Sequence, residues 1–167
     1  MSGAAPGPQP APEEVATLEA LSVDYAAAAD ALDGPAFAAV FTGDGELWVP
    51  GRDGAPGPVL AARGRDALER VPGGLARYHA TRHRPGPTIF VVDGAVATGW
   101  VAATAHHLVA EVGGAGTDTV WHLRYEDAYR RTADGWRIAR RTLHLERTEV
   151  VPLDDVGPPG PGRPGPA

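Results

Sequence analysis

The chain has 167 residues, a formal net charge of −6 and no cysteine. That length suits one domain with one core. The missing Cys excludes disulfides, thiolate nucleophiles and Cys-ligated metal centres. The acidic balance makes the chain a poor ligand for nucleic acid.

In chain order, residues 1–12 are rich in Pro, Gly and Ala and are expected to be a disordered tail. The folded domain is expected over residues 13–151. Leu18, Leu21, Tyr25, Ala28 and Leu32 recur at three- and four-residue steps, which predicts a helix with one apolar face. Pro12, Glu13 and Glu14 suit its start. Asp33-Gly34-Pro35 interrupts it, and Pro35 can open a second short helix to Phe41. A strand is predicted over 46–49, then a loop over 50–62 as a possible lid. A third helix is predicted over 64–78, weakened by Pro72-Gly73-Gly74. Four strands follow at 82–92, 95–111, 117–132 and 136–150. Asp93-Gly94 and Asp134-Gly135 sit between apolar or aromatic runs and predict two hairpin turns. Residues 152–167 read as a second disordered Pro/Gly-rich tail. The order predicts an α+β fold, with helices packed on a curved antiparallel sheet around a pocket. No apolar run approaches the roughly 18 residues of a membrane span. No basic, apolar leader opens the chain, so a cytoplasmic protein is expected.

The chemistry open to the chain is narrow. It has no Lys, which excludes Schiff-base chemistry and a Walker phosphate loop. Its only serines are Ser2 and Ser22, neither in a nucleophile-elbow sequence. Acid–base work by His, Asp, Glu and Tyr remains, with Arg as electrostatic support. Arg137, Arg140 and Arg141 read as a solvated or interface edge. Trp48, Trp100, Trp121 and Trp136 read as core or interface, with one or two able to floor an apolar pocket. His79 and His83 are four apart, but no HExxH or HxH pattern appears, and no metal is expected.

The order of elements, with ADALDGPAFAAVF early, TRH at 81–83, VVDGAVATG, and YEDAYRRTADGWRIARR, resembles the SnoaL-like branch of the nuclear-transport-factor-2-like superfamily. The resemblance covers about residues 13–150. It implies a cone: a strongly bent antiparallel sheet closed by N-terminal helices around a cavity. The branch includes scytalone dehydratase and polyketide cyclases. It also includes non-catalytic relatives, so a ligand-binding or assembly module is the alternative, and fold does not choose between them. In the dehydratase, the last residue of the ADALD equivalent is a catalytic Asp, which matches Asp33. Asp30 shares its helical face and is the fallback. The dehydratase also has a His matching His83, hydrogen-bonded to that Asp. Its second catalytic His matches His107. Adjacent strand residues point to opposite faces, so only one of His106 and His107 can line the cavity. Tyr25, Trp48, Tyr125 and Asp127 are the candidate substrate contacts. The dehydratase has a Tyr where this chain has Leu32, which departs from a scytalone-type site. The resemblance implies a cofactor-independent dehydratase, isomerase or cyclase acting on a hydrophobic oxygenated ring compound. In that scheme Asp33 orients His83 as the base and His107 serves as partner acid or hydrogen-bond donor. A homodimer or homotrimer is also implied.

Overall fold

The computed structural model describes residues 10–51, 57–111 and 113–163. Helix α1, Pro12–Ala31, begins with Pro at its first position and Glu13 and Glu14 in its first turn. Proline needs no helical partner there, and the acidic pair meets the positive end of the helix dipole. Leu18, Leu21, Tyr25, Ala28 and Ala29 form its buried stripe. The helix ends at Leu32, whose φ of 58° makes it the one described non-glycine residue in left-handed conformation. That turn detaches Asp33 from α1. Asp33 instead caps α2, Gly34–Ala39, accepting from the Ala36 N–H at 3.0 Å. Gly34 allows α2 to approach the next helix closely, since a Cβ there would lie 2.2 Å from the Glu69 carbonyl oxygen.

Strand β1 runs Phe41–Pro50 and β2 Pro58–Arg63. The expected loop over 50–62 is therefore partly a strand. Its residues from Pro58 pair antiparallel with β1, and residues 52–56 lie outside the described set. The third helix is shorter than expected. It comprises α3, Arg65–Glu69, and a 3-10 segment, Pro72–Arg77. Pro72 lacks the N–H to continue α3, and the two glycines disfavour a regular helix.

Strands β3 (Ala80–Asp93), β4 (Val96–Ala110), β5 (Gly116–Thr132) and β6 (Gly135–Leu153) complete the sheet. The order is β2-β1-β6-β5-β4-β3, antiparallel except for the β1–β6 pair. The sheet is curved and unclosed, with the helices against it, as in the nuclear-transport-factor-2-like cone. Both predicted hairpins form, with tips one residue away from the Asp-Gly pairs. Gly94-Ala95 and Ala133-Asp134 are the two-residue loops, and Gly94 and Gly135 adopt φ of 59° and 98°.

The inner face is set by register. In β4 the inward row is Ala97, Gly99, Val101, Ala103, Ala105 and His107. Most of these residues are small, and large side chains from neighbouring strands lie over part of the row. A Cβ on Gly99 would meet the Phe90 ring at 2.4 Å. Tyr25, Phe37, Phe41 and Tyr125 fill the body of the cone, with ring centroids 4.7–6.1 Å apart. Among the described residues, no helix is long and apolar enough to cross a membrane.

The C-terminal residues differ from expectation. Residues 152 and 153 belong to β6, and residues 154–163 pack back on the domain. The Val156 N–H donates to the Gly114 carbonyl at 3.0 Å, and the Gly160 N–H to the His79 carbonyl at 2.9 Å. Prolines 158, 159 and 161 carry no N–H needing a partner. They also restrict the unfolded chain, so ordering this segment costs less entropy than its composition implies.

Candidate functional site

The residues that come together are Asp30, Thr81, His83 and His107. Pairing of β3 with β4 sets Thr81 opposite His107 and His83 opposite Ala105, so the side chains of Thr81, His83 and His107 share the inner face. The last turn of α1 lies over the start of β3 and lowers Asp30 onto it. Oδ1 of Asp30 accepts from His83 Nδ1 at 2.7 Å and from the Thr81 hydroxyl at 2.9 Å. Oδ2 accepts the main-chain N–H of His83 at 2.8 Å. A carboxylate can only accept, so the Nδ1 proton is fixed and Nε2 is left as the basic nitrogen.

Asp33 does not take part. Its carboxylate is exposed and committed to the α2 cap, and the residue one helical turn earlier meets His83. The αL turn at Leu32 is the cause. It rotates Asp33 out of the helical face it would share with Asp30.

The register also separates the two adjacent histidines. His107 faces inward and is 4% exposed, with its ring 6.0 Å from that of His83. His106 points to the other face and pairs with Asp118 at 2.7 Å. Tyr78 and Trp121 flank His107 at 4.8 and 4.9 Å between ring centroids. His107 Nδ1 lies 3.2 Å from the Thr119 carbonyl oxygen, which can only accept. The proton therefore sits on Nδ1, and Nε2 is an acceptor. Burial holds the imidazole below the usual histidine range, and the positive charge of Arg77 acts in the same direction. A neutral ring of this tautomer does not fit the expected role of partner acid or donor.

Tyr25, Tyr125 and Asp127 lie inside the cone around a residue expected from sequence at a solvated or interface edge. Arg141 is fully buried. Its Nε and Nη2 donate to Asp127 at 2.9 and 2.7 Å, and Nη2 also donates to Ser22 at 2.8 Å. The Tyr129 hydroxyl donates to Asp127 at 2.7 Å. The guanidinium stacks between Tyr25 and Tyr125, 4.4 and 4.1 Å from their ring centres. Burial opposes the charge on Arg141, but the Asp127 carboxylate overcomes this and strengthens its hold on the proton. Burial likewise pushes the Tyr25 phenol up to about 12 and raises Tyr125 and Tyr129, so all three stay protonated. The signal missed in the sequence is a bulge. Tyr129 pairs with Ile138 and Ala128 with Arg140, so Ala139 is an extra residue in β6. The bulge reverses the alternation, turning Arg141 inward and Arg140 outward.

Trp48 is not an inner-face contact. Its indole N–H donates to Glu46 at 2.9 Å, and Arg140 lies 5.6 Å from its ring centre on the outer side of the sheet. Two grooves of about 520 and 500 Å³ also lie outside the cone. One runs along α1 and α2 past Asp33 and Arg137; the other crosses the outer sheet around Trp100 and Arg140. Neither is lined by His83 or His107. Their mixed linings hold no group with the geometry of the Asp30–His83 pair. Among the described residues, no three His, Asp or Glu side chains converge on a point that could hold a metal ion.

A cone-shaped sheet with a carboxylate–histidine pair on its inner face defines a catalytic or ligand-binding protein of the nuclear-transport-factor-2-like class. The chain belongs to the SnoaL-like domain family, which matches residues 13–142. It is similar in structure to a protein of unknown function from Mycobacterium tuberculosis, with 29% identity, 81% of this chain and 73% of that one covered, and a TM-score of 0.66. A candidate scytalone dehydratase from Novosphingobium aromaticivorans shares 21% identity over 87% and 94% of the two chains, with a TM-score of 0.67. The hexachlorocyclohexane dehydrochlorinase LinA-type3 from Novosphingobium barchaimii shares 16% identity over 88% and 96%, with a TM-score of 0.68. No curated protein matches the chain in sequence.

Proposed function

We propose that the protein is an acid–base enzyme in which His83 is the base, acting by dehydration, isomerisation or cyclisation on a hydrophobic oxygenated ring compound. The observation that carries this is the grip of Asp30. Three hydrogen bonds fix the carboxylate, the carboxylate fixes the Nδ1 proton of His83, and Nε2 is the remaining basic nitrogen. A carboxylate-oriented imidazole stabilises its own protonated form as it takes a proton.

In the dehydration form, Nε2 removes a proton from the carbon beside a carbonyl. The C–H electron pair becomes the new carbon–carbon π bond, and the β-hydroxyl departs with its bonding pair. The imidazolium returns the proton to that hydroxyl, which leaves as water. In the isomerisation form the same proton returns to a different carbon. His107 Nε2, on the same face, accepts a hydrogen bond from a substrate hydroxyl and fixes the ring. Tyr78 and Trp121 beside it supply apolar surface for a ring compound. The names of two similar proteins describe eliminations, but their identity to this chain supports the fold alone; the case for elimination rests on the dyad.

The test is to incubate the protein with a panel of cyclic β-hydroxyketones and follow enone absorbance and loss of water by mass. The expected result is turnover by the native protein and loss of it in His83→Gln. Undiminished turnover in that variant would sink the assignment. Binding of a panel compound with no change in it would favour a ligand-binding module instead.

A further inference from the structure

The C-terminal segment reaches the main chain of Asp30 and the hydroxyl of Thr81. After β6 it turns at Gly157, with φ of 67°, where the Gly157 carbonyl accepts from His79 Nε2 at 2.9 Å. Gly160 is bound to the His79 carbonyl, and a second positive-φ glycine, Gly162, at 71°, aims Arg163 back into the domain. Arg163 is 8% exposed although it lies in a Pro/Gly-rich tail. Its Nη1 donates to the main-chain carbonyl of Asp30 at 2.9 Å, and its Nη2 to the Thr81 hydroxyl at 2.9 Å. That hydroxyl in turn donates to Oδ1 of Asp30.

We propose that Arg163 is a positioning residue for the Asp30–His83 pair, acting through Thr81 and through the last turn of α1. This rests on the assignment of those two residues as the reacting pair. Two physical effects support it. A hydroxyl that accepts from a guanidinium becomes a stronger donor, so Thr81 holds Asp30 more firmly. A cation on a helix's terminal carbonyls also satisfies an orphan acceptor and the negative end of the dipole, which fixes the turn that carries Asp30. The fork geometry matters, because one planar group reaches both acceptors at once. The tail then belongs to the site: it sets the direction of the base without touching a substrate.

The test is nuclear magnetic resonance of the full-length, 15N-labelled protein, reading the imidazole Nδ1 proton of His83 far downfield. His83→Gln identifies the signal by removing it. The expected result is a sharp signal in the native protein and its loss by broadening in Arg163→Ala, with partial recovery in Arg163→Lys. Gly160→Ala provides a second route, because its Cβ would lie 2.8 Å from Arg163 Nη1 and displace the guanidinium while leaving it in the chain. It should lose the signal too. Far-UV circular dichroism confirms that each variant is folded. An unchanged signal in both Arg163→Ala and Gly160→Ala overturns the positioning role and leaves the base assignment standing. A native protein with its proton on Nε2 of His83 instead overturns both.

Discussion

Asp30 holds His83 at two points, by the ring through Oδ1 and by the main chain through Oδ2, at 2.7 and 2.8 Å. The double hold means that Asn cannot substitute. Its one carbonyl oxygen can keep the ring, but its NH2 group then faces the His83 N–H, donor against donor. Asp30→Asn should therefore reduce turnover of a confirmed substrate by an amount similar to His83→Gln, roughly 10²- to 10⁴-fold. Steady-state kinetics checks this. Near-native turnover in Asp30→Asn would show that orientation of His83 does not matter.

Asp33 provides the contrast. As the α2 cap it supports a helix end, so Asp33→Ala should cost about 1 kcal/mol of stability. Urea unfolding measures the loss. Turnover of the same substrate should be retained, because the Asp30–His83 geometry does not involve the Asp33 side chain.

His107 should make stability depend on pH. Its folded-state pKa lies below the unfolded value, which is about 6.5 for a free histidine. As pH falls, the unfolded chain binds the proton first and is favoured. The stability contributed by neutral His107 is thus complete above about pH 6.5 and declines below it. It levels off only once the folded form is protonated. His107→Gln removes this dependence, so the difference in urea midpoint between native and variant should shrink from pH 8 to pH 5. A constant difference would mean that His107 is not held neutral by burial.

The Arg141–Asp127 pair should be costly to break from one side. Arg141→Met leaves a buried carboxylate without its counter-charge and takes a partner from Ser22. The expected loss is roughly 3–5 kcal/mol in urea unfolding. Adding Asp127→Leu should recover part of it, because the stranded charge is gone. A loss below about 1 kcal/mol in the single variant would show that water reaches the pair.

Much of the fold was legible because its signals are local. The apolar stripe of α1, the glycines of the two hairpins and the alternation of the long strands each depend on residues a few positions apart. His83 and the choice between His106 and His107 were nearly legible too. Strand alternation required one histidine inside and one outside, but only the pairing with β3 decided which.

What the chain alone determined, then, is an α+β domain with helices on a hairpin-rich sheet and an acid–base repertoire of His, Asp, Tyr and Arg. Tertiary structure decided which of these groups meet. A single left-handed residue, Leu32, moved the dyad from Asp33 to Asp30. One extra residue in β6, Ala139, turned Arg141 into the core and Trp48's neighbour Arg140 outward. A tail of prolines and glycines packs back on the domain, where Arg163 reaches two acceptors 82 and 133 residues away in sequence. Each is a small local deviation whose consequence depends on partners far along the chain, and periodicity contains no record of those partners.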